Sequence, residues 1–355
     1  MKILAIETSC DETAVALLEC TGELDSPKFK ILGNSLISQI ELHKDYGGVY
    51  PTLAKREHQK NLAPLLQKTL IEAGESADWR TNKPQIDYIA VTSGPGLEPA
   101  LWVGILFAEE IGKEWNIPVV PVNHMEGHIY SVLNDTHPNI EFPALALLVS
   151  GGHTELVKMD NYGVYEVVGK TRDDAVGEAF DKVARLLELP YPGGPKISLL
   201  AELHRQKGLV PSFKFPKPMI HSKNLDFSFS GLKTSVLYKL RETEITEKVR
   251  EEFARSFEEA AVEVLIEKTR RAIDKFAPKT LIVAGGVSLN IHLQRELLKL
   301  SGEFPALILR LPPPSLTGDN AVMIGMAGFM KIKTSTPEYK PHNQEKIVAK
   351  GNLTF

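Results

Sequence analysis

Two stretches of the chain place apolar runs on both sides of a short polar turn. Residues 3–18 (ILAIETSCDETAVALL) flank a Thr-Ser-Cys-Asp-Glu-Thr turn, and residues 144–157 (ALALLVSGGHTELV) flank a Ser-Gly-Gly-His-Thr turn. Short apolar runs bounded by turn residues are typical of buried strands. The pattern therefore predicts two hairpins, each carrying polar residues at its turn.

A second recurring pattern is an apolar strand, a glycine turn and a helix. It occurs at residues 86–111 (IDYIAVTSGPGLEPALWVGILFAEEI) and again at 280–300 (TLIVAGGVSLNIHLQRELLKL). The order of hairpin, then strand-glycine-helix, thus appears twice. This repetition predicts a duplicated α/β fold of two similar lobes, with a cleft between them where a cofactor binds against helix N-termini. The alternative is coincidence, because strand-glycine-helix units are common.

The same patterns predict how the chain divides. We expect a first lobe at residues 1–140, completed by a C-terminal helix near 319–332. The second lobe is expected at 141–318 and carries an inserted helical and loop block at about 165–245. Residues 333–355 are polar without sustained periodicity and are expected to form a surface tail.

Composition narrows the class of protein. The 355 residues are 43% hydrophobic and 24% charged, and no apolar run approaches the roughly 20 residues of a membrane span. The N-terminus lacks the pattern of a secretory or transit segment, and Cys10 and Cys20 are too few for a disulfide framework, so we expect a cytoplasmic protein. A formal net charge of −4 makes any contact with nucleic acid a local one.

The stretch VNHMEGHIYS (122–131) carries the first candidate chemistry. On a helix, His124 and His128 lie one turn apart on one face and can share a metal ion, whereas Glu126 points elsewhere. Metalloprotease motifs place the glutamate beside a histidine ligand, so the order His-x-Glu-x-His lacks their general base. A third ligand is needed. Asp319 is the candidate, although an aspartate there could equally cap the helix that follows.

Two glycine turns are candidate ligand sites. Residues 150–152 (SGG) expose backbone N–H groups to an anionic ligand, although a tight hairpin needs these glycines in any case. Residues 285–290 (GGVSLN) lie between a buried strand and the start of a helix. A nucleotide could bind at this turn, but the same pattern is equally typical of a strand-to-helix turn without a ligand.

Nine motifs in order give the chain a family resemblance. They are ETSCDET (7–13), HKDYGGVYPTLAKREH (43–58), SGPGL (93–97), NHMEGH (123–128), VSGGHTEL (149–156), RDDAVGEAFDKVAR (172–185), YPGGP (191–195), FSFSGLKT (227–234) and GGVSLN (285–290). Together they closely resemble the bacterial and organellar tRNA N6-adenosine threonylcarbamoyltransferases, the TsaD family, once called glycoproteases. The resemblance covers the chain to about residue 330. It implies the two-lobed ATPase fold of actin, Hsp70 and sugar kinases (ASKHA, RNase H-like).

The resemblance also implies an activity and partners. The expected reaction moves a threonylcarbamoyl group from threonylcarbamoyl-AMP to the N6 amine of adenosine 37, giving t6A in tRNAs that read codons starting with adenine. The expected helpers are a TsaB-like paralogue of the same fold and a TsaE-like small ATPase. No membrane partner is expected.

Carried over by resemblance, the metal ligands fall on His124, His128 and Asp319. One divalent ion is implied, Fe²⁺ first and Zn²⁺ second. The adenylate-binding positions fall on Leu148, Val149, Ser150, Gly151, Gly152, Asp181, Gly194 and Asn290. One departure adjoins the third ligand, since Thr317 and Gly318 stand where the family usually has Cys-Thr.

Asp11 and Glu12 lie in the first polar turn. A sugar kinase of this fold uses an acidic residue there to manage Mg²⁺, so the resemblance allows these residues a catalytic role or a contact to bound ATP and Mg²⁺. They could equally be turn-forming residues.

Residues 204–223 (HRQKGLVPSFKFPKPMIHSK) contain no acidic residue and interleave cations with Phe213 and Phe215. The candidate tRNA contacts are Arg205, Lys207, Lys214, Lys217 and Lys223. Such a stretch suits phosphate contact and base stacking, or it is a solvated loop.

Three other functions are compatible with some of the same residues. An ATP-dependent kinase or ATPase of the same fold would not need His124 or His128. A metallo-endopeptidase would need the general base that the motif lacks. A non-catalytic scaffold like the paralogous partner would lack the histidine pair, which is present here.

Overall fold

The computed structural model describes residues 1–134, 137–335 and 346–355. The chain forms two compact units. One comprises Met1–Ile140 with Pro312–Phe355, and the other comprises Glu141–Leu311.

The first unit is built on a five-stranded mixed sheet. Its strands are β1 (Lys2–Glu7), β2 (Glu12–Thr21), β3 (Lys28–Ser38), β4 (Tyr88–Gly94) and β5 (Val119–Asn123), in the order β3-β2-β1-β4-β5. Its helices before the second unit are α1 (Ile40–His43), α2 (Pro51–Glu72), α3 (Glu98–Trp115) and α4 (His124–Tyr130). The central strand β1 is apolar on both faces, as expected of a strand covered by helices on both sides of its sheet.

The second unit repeats this topology. Its strands are β6 (Ala144–Val149), β7 (Thr154–Asn161), β8 (Val164–Lys170), β9 (Thr280–Ala284) and β10 (Ile308–Arg310), in the order β10-β9-β6-β7-β8. Its helices are α5 (Val176–Leu186), α6 (Gly193–Gln206), α7 (Ser230–Arg241), α8 (Glu247–Phe276) and α9 (Ile291–Glu303). In both sheets the hairpin strands pair antiparallel and the two strands after them join in parallel. The duplicated α/β fold predicted from the sequence is therefore confirmed.

The last helix returns to the first unit. α10 (Ala321–Thr334) packs on β1, β2 and β5, and its two inward glycines allow a close approach. A Cβ on Gly325 would lie 2.7 Å from Leu18, and one on Gly328 would lie 2.7 Å from Ala90. The chain reaches this helix through Pro312–Gly318, which belongs to the first unit and not to the second, where the sequence analysis placed it.

The C-terminal segment is packed where a surface tail was expected. Ile347 and Ala349 are 6% and 7% exposed and join the apolar core of the first unit. The backbone N–H of Lys350 donates to the carbonyl of Ser93 at 2.9 Å. The tail prediction is thus wrong for residues 346–355, because two apolar side chains in a polar stretch suffice to anchor it. Residues 336–345 of that prediction lie outside the described residues.

In the part of the chain that the structure describes, no helix combines the length and apolar character needed to cross a bilayer.

Candidate metal centre and ligand-binding turns

Helix α4 presents the two histidines of the NHMEGH motif on one face. It begins where β5 ends, because the side chain of Asn123 accepts a hydrogen bond from the Met125 N–H at 2.9 Å and caps the helix. The ring centroids of His124 and His128 are 4.8 Å apart. The two residues are 5% and 0% exposed. The helical turn therefore brings both imidazoles to one buried point, as predicted.

Asp319 reaches the same point from the start of α10. Its Oδ1 lies 3.3 Å from Nε2 of His124 and 3.3 Å from Nε2 of His128. The helix cap is the next residue, Asn320, whose Oδ1 accepts from the Met323 N–H at 2.9 Å. The two roles that the sequence left open for Asp319 are thus divided between neighbours, and the aspartate is free to face the histidines.

The family departure beside Asp319 leaves this geometry intact. The Thr317 hydroxyl donates to the Pro314 carbonyl at 2.9 Å, and the Asn320 amide donates to the Gly318 carbonyl at 2.8 Å. A Cβ at Gly318 would meet no atom within 4 Å. These bonds hold the turn that carries Asp319.

Close packing of α4 against α10 sets the distance between the ligand-bearing elements. A Cβ at Gly127 would lie 3.1 Å from both Met323 and Ile324. Gly127 lies on the turn between the two histidines, so its lack of a side chain lets the start of α10 approach them.

The three residues fit a divalent metal ion. One ligand atom from each of His124, His128 and Asp319 lies within 4.8 Å of the others. Two atoms that each lie about 2.1 Å from an ion are roughly 3.0–3.4 Å apart, which matches both separations of 3.3 Å. Among the described residues, neither ring nitrogen of buried His128 has a hydrogen-bond partner. Such orphaned buried atoms suit an absent ligand.

Glu126 takes no part in this group, which in the described part of the chain consists of His124, His128 and Asp319. Burial raises the pKa of Glu126, and the charge of Lys331 opposes that shift. The glutamate therefore interacts with α10 and not with the histidines.

The electrostatics of the centre favour ionised carboxylates. Burial raises the pKa of Asp319, but the positive charge of His124 and the close approach of both histidines hold it well below its ordinary value. Burial lowers the pKa of His124, yet Asp319 and Glu7 raise it well above its ordinary value. For His128, burial dominates and lowers the pKa. A cation at this point is therefore matched by two nearby negative charges, those of Asp319 and Glu7.

Glu7 is the residue that the sequence analysis missed. It ends β1, is 0% exposed, and its Oε2 accepts from Nδ1 of His124 at 2.9 Å. The available signal was a glutamate closing the otherwise apolar strand KILAIE, at a position where the pattern predicts burial.

The first polar turn lies within electrostatic reach of the centre. Burial first, and then the charges of Asp11 and Asp319, raise the pKa of Glu12 to about 10. Asp11 is 7% exposed. The structure therefore holds Glu12 as a neutral carboxyl group beside an acidic neighbour.

The glycine turn after β6 is closely packed on one side and open on the other. Leu148 and Val149 are fully buried strand residues, and Ser150 is half-buried. A Cβ at Gly151 or Gly152 would meet no atom within 4 Å. The open side leaves room for a ligand against the backbone N–H groups.

Two further glycines press against the buried side of this turn. Gly285 has φ +96°, and a Cβ there would lie 2.4 Å from the Val149 carbonyl oxygen. A Cβ at Gly177 would lie 2.5 Å from the Ser150 carbonyl oxygen. The glycine turns of the second unit thus meet at one place.

The other predicted adenylate-binding residues are engaged within the unit. Asp181 accepts from the Gly193 N–H at 2.7 Å, which fixes the start of α6 beside Gly194. Asn290 caps α9 by accepting from the Leu293 N–H, and its amide donates to Glu258 at 2.6 Å. The Asn290 side chain therefore stabilises the start of α9 and binds Glu258, in addition to any contact with a ligand.

Several basic side chains of residues 204–223 already pair with acidic side chains elsewhere in the second unit. Arg205 donates to buried Glu258 at 2.6 Å, so a phosphate would have to displace that ion pair. Lys207 pairs with Glu251, and Lys217 pairs with Glu263. The acidic partners come from α8, which the local composition could not reveal.

Other members of the stretch remain at the surface. Lys214 and Lys223 are exposed. Phe215 is 7% exposed and packs on Phe253, so it does not offer a stacking face. Phe213 is half-buried, with Lys239 of α7 above its ring at 5.6 Å. A pocket of about 580 Å³ adjoins it and is lined by residues that include Phe213, Lys214, Tyr238 and Lys239.

Comparison with known proteins places these features in a family and a fold. Residues 30–326 match the model of the TsaD family, described as tRNA N6-adenosine threonylcarbamoyltransferase. The ROK hexokinase from Thermus thermophilus is similar in structure, with a TM-score of 0.51 and 12% identity, over 94% of this chain and 100% of that one. The activator of 2-hydroxyisocaproyl-CoA dehydratase from Clostridium difficile, with bound ADPNP, has a TM-score of 0.51 and 13% identity, over 93% and 94%.

Full-length HypF in its phosphate- and nucleotide-bound form is also similar, with a TM-score of 0.57 and 12% identity over 95% of this chain. This chain spans 47% of that protein. At such identities the likeness concerns the fold alone, and the fold is that of the actin-like ATPases.

Proposed function

Because this chain belongs to the TsaD family, the tRNA N6-adenosine threonylcarbamoyltransferases, we propose that it transfers a threonylcarbamoyl group from threonylcarbamoyl-AMP to the N6 amine of adenosine 37 in tRNA. The product is t6A, in tRNAs that read codons starting with adenine. The observation that carries the proposal is the convergence of His124, His128 and Asp319 on one point of the first unit.

The reaction needs an activated donor because the amine is a weak nucleophile. The lone pair of N6 is delocalised into the adenine ring. As N6 attacks the carbamoyl carbon, a new C–N bond forms, the bond from that carbon to the phosphate oxygen breaks, and AMP leaves. The amine loses one proton to a base. A catalyst must therefore stabilise negative charge on the carbamoyl and phosphate oxygens and accept a proton.

The metal ligands serve the first of these needs. His124, His128 and Asp319 would hold one divalent ion, and imidazole with carboxylate suits iron or zinc. Such an ion, when bound, supplies Lewis acidity that neutralises developing charge on the donor. The burial of both imidazoles strengthens these interactions, because water screens them poorly there.

The open glycine turn of the second unit suits the adenylate. Backbone N–H groups at Gly151 and Gly152 are available on its open side and can bind the phosphate or carbonyl oxygens. Asn290 and Asp181 can fix ribose or adenine through their carbonyl and carboxylate oxygens, while they also hold α9 and α6. These residues would orient the donor and reduce the entropy lost on reaching the transition state.

Asp11 and Glu12 are the proposed proton-handling groups. The charges of Asp11 and Asp319 both help to keep Glu12 protonated. A carboxyl group that burial keeps protonated at neutral pH can donate a hydrogen, and it can release its proton when a nearby charge changes. If ATP and Mg²⁺ also bind, the same pair would be the contact to Mg²⁺.

The exposed edge of the second unit is proposed to contact tRNA. Lys214 and Lys223 offer charge to phosphates, and the pocket beside Phe213 and Tyr238 offers aromatic faces to an unpaired base. Lys207 and Lys217 would join only by exchanging their glutamate partners for phosphate. Arg205 is left out of this surface because Glu258 holds it.

The decisive experiment supplies the full-length protein with unmodified tRNA and threonylcarbamoyl-AMP, followed by nucleoside mass spectrometry. The assay is run with and without a TsaB-like paralogue and a TsaE-like ATPase, since we propose that both assist. Formation of t6A supports the proposal. Absence of t6A in the presence of both helpers, together with phosphate release from ATP by this protein when both helpers are left out, would favour an ATPase of the same fold.

A further inference from the structure

Glu7 is a buried carboxylate held by three donors. His124 Nδ1 donates to its Oε2 at 2.9 Å, Thr92 Oγ1 donates to the same oxygen at 2.7 Å, and the Ser9 N–H donates to Oε1. Removing a carboxylate from water costs several kcal/mol unless such partners replace the lost hydration. The central strand thus carries a costly group whose charged partner is a histidine of the metal centre.

The hydrogen bond defines which nitrogen of His124 bears the proton. An ionised carboxylate can only accept, so the hydrogen must reside on Nδ1. Nε2 lies 3.3 Å from the Asp319 carboxylate, and it is the nitrogen whose lone pair a metal ion would take once the ion displaces the hydrogen there. Glu7 therefore acts on the side of the ring opposite the centre.

The second histidine has no such support. Within the described part of the chain, His128 Nδ1 has no hydrogen-bond partner. Among these residues, no hydrogen bond on the Nδ1 side fixes the orientation of its ring. The two imidazoles of the centre are consequently unequal, because only His124 has an anion bound at Nδ1.

We propose that Glu7 is a positioning residue for the metal centre, which holds His124 as the Nδ1–H tautomer and so presents Nε2 to the ion. This inference rests on the proposed metal-dependent function and adds to it a residue outside the ligand set. Partners of this kind change metal affinity by about 10–100-fold when they are removed.

The substitution Glu7→Gln tests the tautomer directly. If the amide oxygen of the glutamine faces His124 and Thr92, its NH₂ group opposes the Ser9 N–H, donor against donor. If the amide is turned over, its NH₂ group faces Nδ1 of His124, which must then accept. The ring hydrogen moves to Nε2 and blocks the lone pair that the ion needs. Either arrangement weakens metal binding, although the side chain keeps its size.

The measurement is the affinity of the metal-stripped, full-length protein for Co²⁺ and Zn²⁺, determined by competition with a chelating dye. We expect Glu7→Gln to weaken binding by about 10–100-fold and to alter the visible spectrum of the Co²⁺ form. Glu7→Asp keeps the carboxylate and should recover part of the loss. The matched control is Glu126→Gln. Glu126 also lies on α4, but it interacts with Lys331. This variant should bind both metals like the wild type.

A second variant keeps the test possible if Glu7→Gln does not fold. Thr92→Val removes one donor to Glu7 with little change in shape and leaves the other two donors, so it should fold with a somewhat lower melting temperature and weaken binding several-fold. If Glu7→Gln does not fold, Thr92→Val and Glu7→Asp decide the question. Wild-type affinity in every folded variant overturns the inference and leaves the proposed function standing. If the wild-type protein itself binds neither metal, the proposed metal centre fails and the inference fails with it.

Discussion

His58 of α2 binds the carbonyl oxygen of Cys10 through Nε2 at 2.9 Å and so ties the helix to the first polar turn. Since a carbonyl only accepts, the hydrogen lies on Nε2, and Nδ1 must accept from the Thr13 hydroxyl at 2.8 Å. Burial lowers the pKa of His58, which keeps the ring neutral as this pattern requires. The turn that carries Asp11 and Glu12 is thereby fixed from both sides.

This relationship predicts the effect of His58→Leu. Two buried polar groups, the Cys10 carbonyl and the Thr13 hydroxyl, lose their partner, at a cost of about 1–3 kcal/mol each. We expect a lower melting temperature and slower transfer. The control is His221→Leu at an exposed site, which should change stability by less than about 0.5 kcal/mol. Equal melting temperatures for the two variants would contradict the role assigned to His58.

Substitution of a metal ligand should separate catalysis from folding. His124→Ala and Asp319→Ala remove one of three ligands each, so the bound metal and t6A formation should both be lost while circular dichroism stays unchanged. Treatment of the wild type with a chelator should have the same effect, and added Fe²⁺ or Zn²⁺ should restore activity. Undiminished modification by either variant would count against a metal role in catalysis.

Charge reversal tests the proposed tRNA surface. Lys214→Glu with Lys217→Glu should weaken tRNA binding and flatten its dependence on salt, because fewer counterions are released. Binding is measured by filter retention at several salt concentrations. Lys60→Glu with Lys68→Glu on α2 gives the same change in net charge at exposed positions and should leave the slope unchanged. An unaltered slope in the first variant removes residues 204–223 from the interface.

The ion pair that holds Arg205 predicts a dependence of stability on pH. Burial raises the pKa of Glu258 above its ordinary value of 4.5, against the opposing effect of Arg205. The folded chain therefore retains a proton that the unfolded chain has already lost, and stability falls as the pH rises from about 4.5 through the raised pKa. Glu258→Gln keeps an oxygen for Asn290 and should reduce this slope in urea unfolding between pH 5 and about 8. The exposed Glu242→Gln should retain it, and identical slopes for both would refute the assignment.

Neighbouring glycines offer a matched test of the ligand-binding turn. Gly285→Ala must place a Cβ 2.4 Å from the Val149 carbonyl oxygen at a φ of +96°, so the turn after β6 should shift and the affinity for the adenylate should fall. At Gly286 a Cβ meets no atom within 4 Å, so Gly286→Ala should behave like the wild type. Calorimetric binding of a non-reactive adenylate analogue, with melting temperatures, checks both. Equal affinities would show that the contact does not position the turn.

The sequence predicted those parts of the site that depend on local periodicity. The hairpins at residues 3–18 and 144–157 follow from apolar runs around polar turns, and the strand-glycine-helix units follow the same logic. The shared face of His124 and His128 follows from the 3.6-residue turn of α4. Their third partner, Asp319, was a candidate that could equally cap a helix, and the resemblance supported it, because no spacing within one helix links it to the histidines.

Long-range packing decided what the local pattern left open. Whether Asp319 or its neighbour caps α10 depends on how that helix meets α4 at Gly127. The roles of Glu7 and Arg205 depend on partners from other elements, His124 and Glu258.

The amino-acid sequence by itself thus determined the repeated α/β elements and the pair of imidazoles on one helix, because both follow from periodicities of a few residues. Only the tertiary structure decided which carboxylates face those imidazoles and which cations are already neutralised. A charge acts on whatever lies within a few ångströms of it, and that neighbourhood is assembled from segments far apart in the chain.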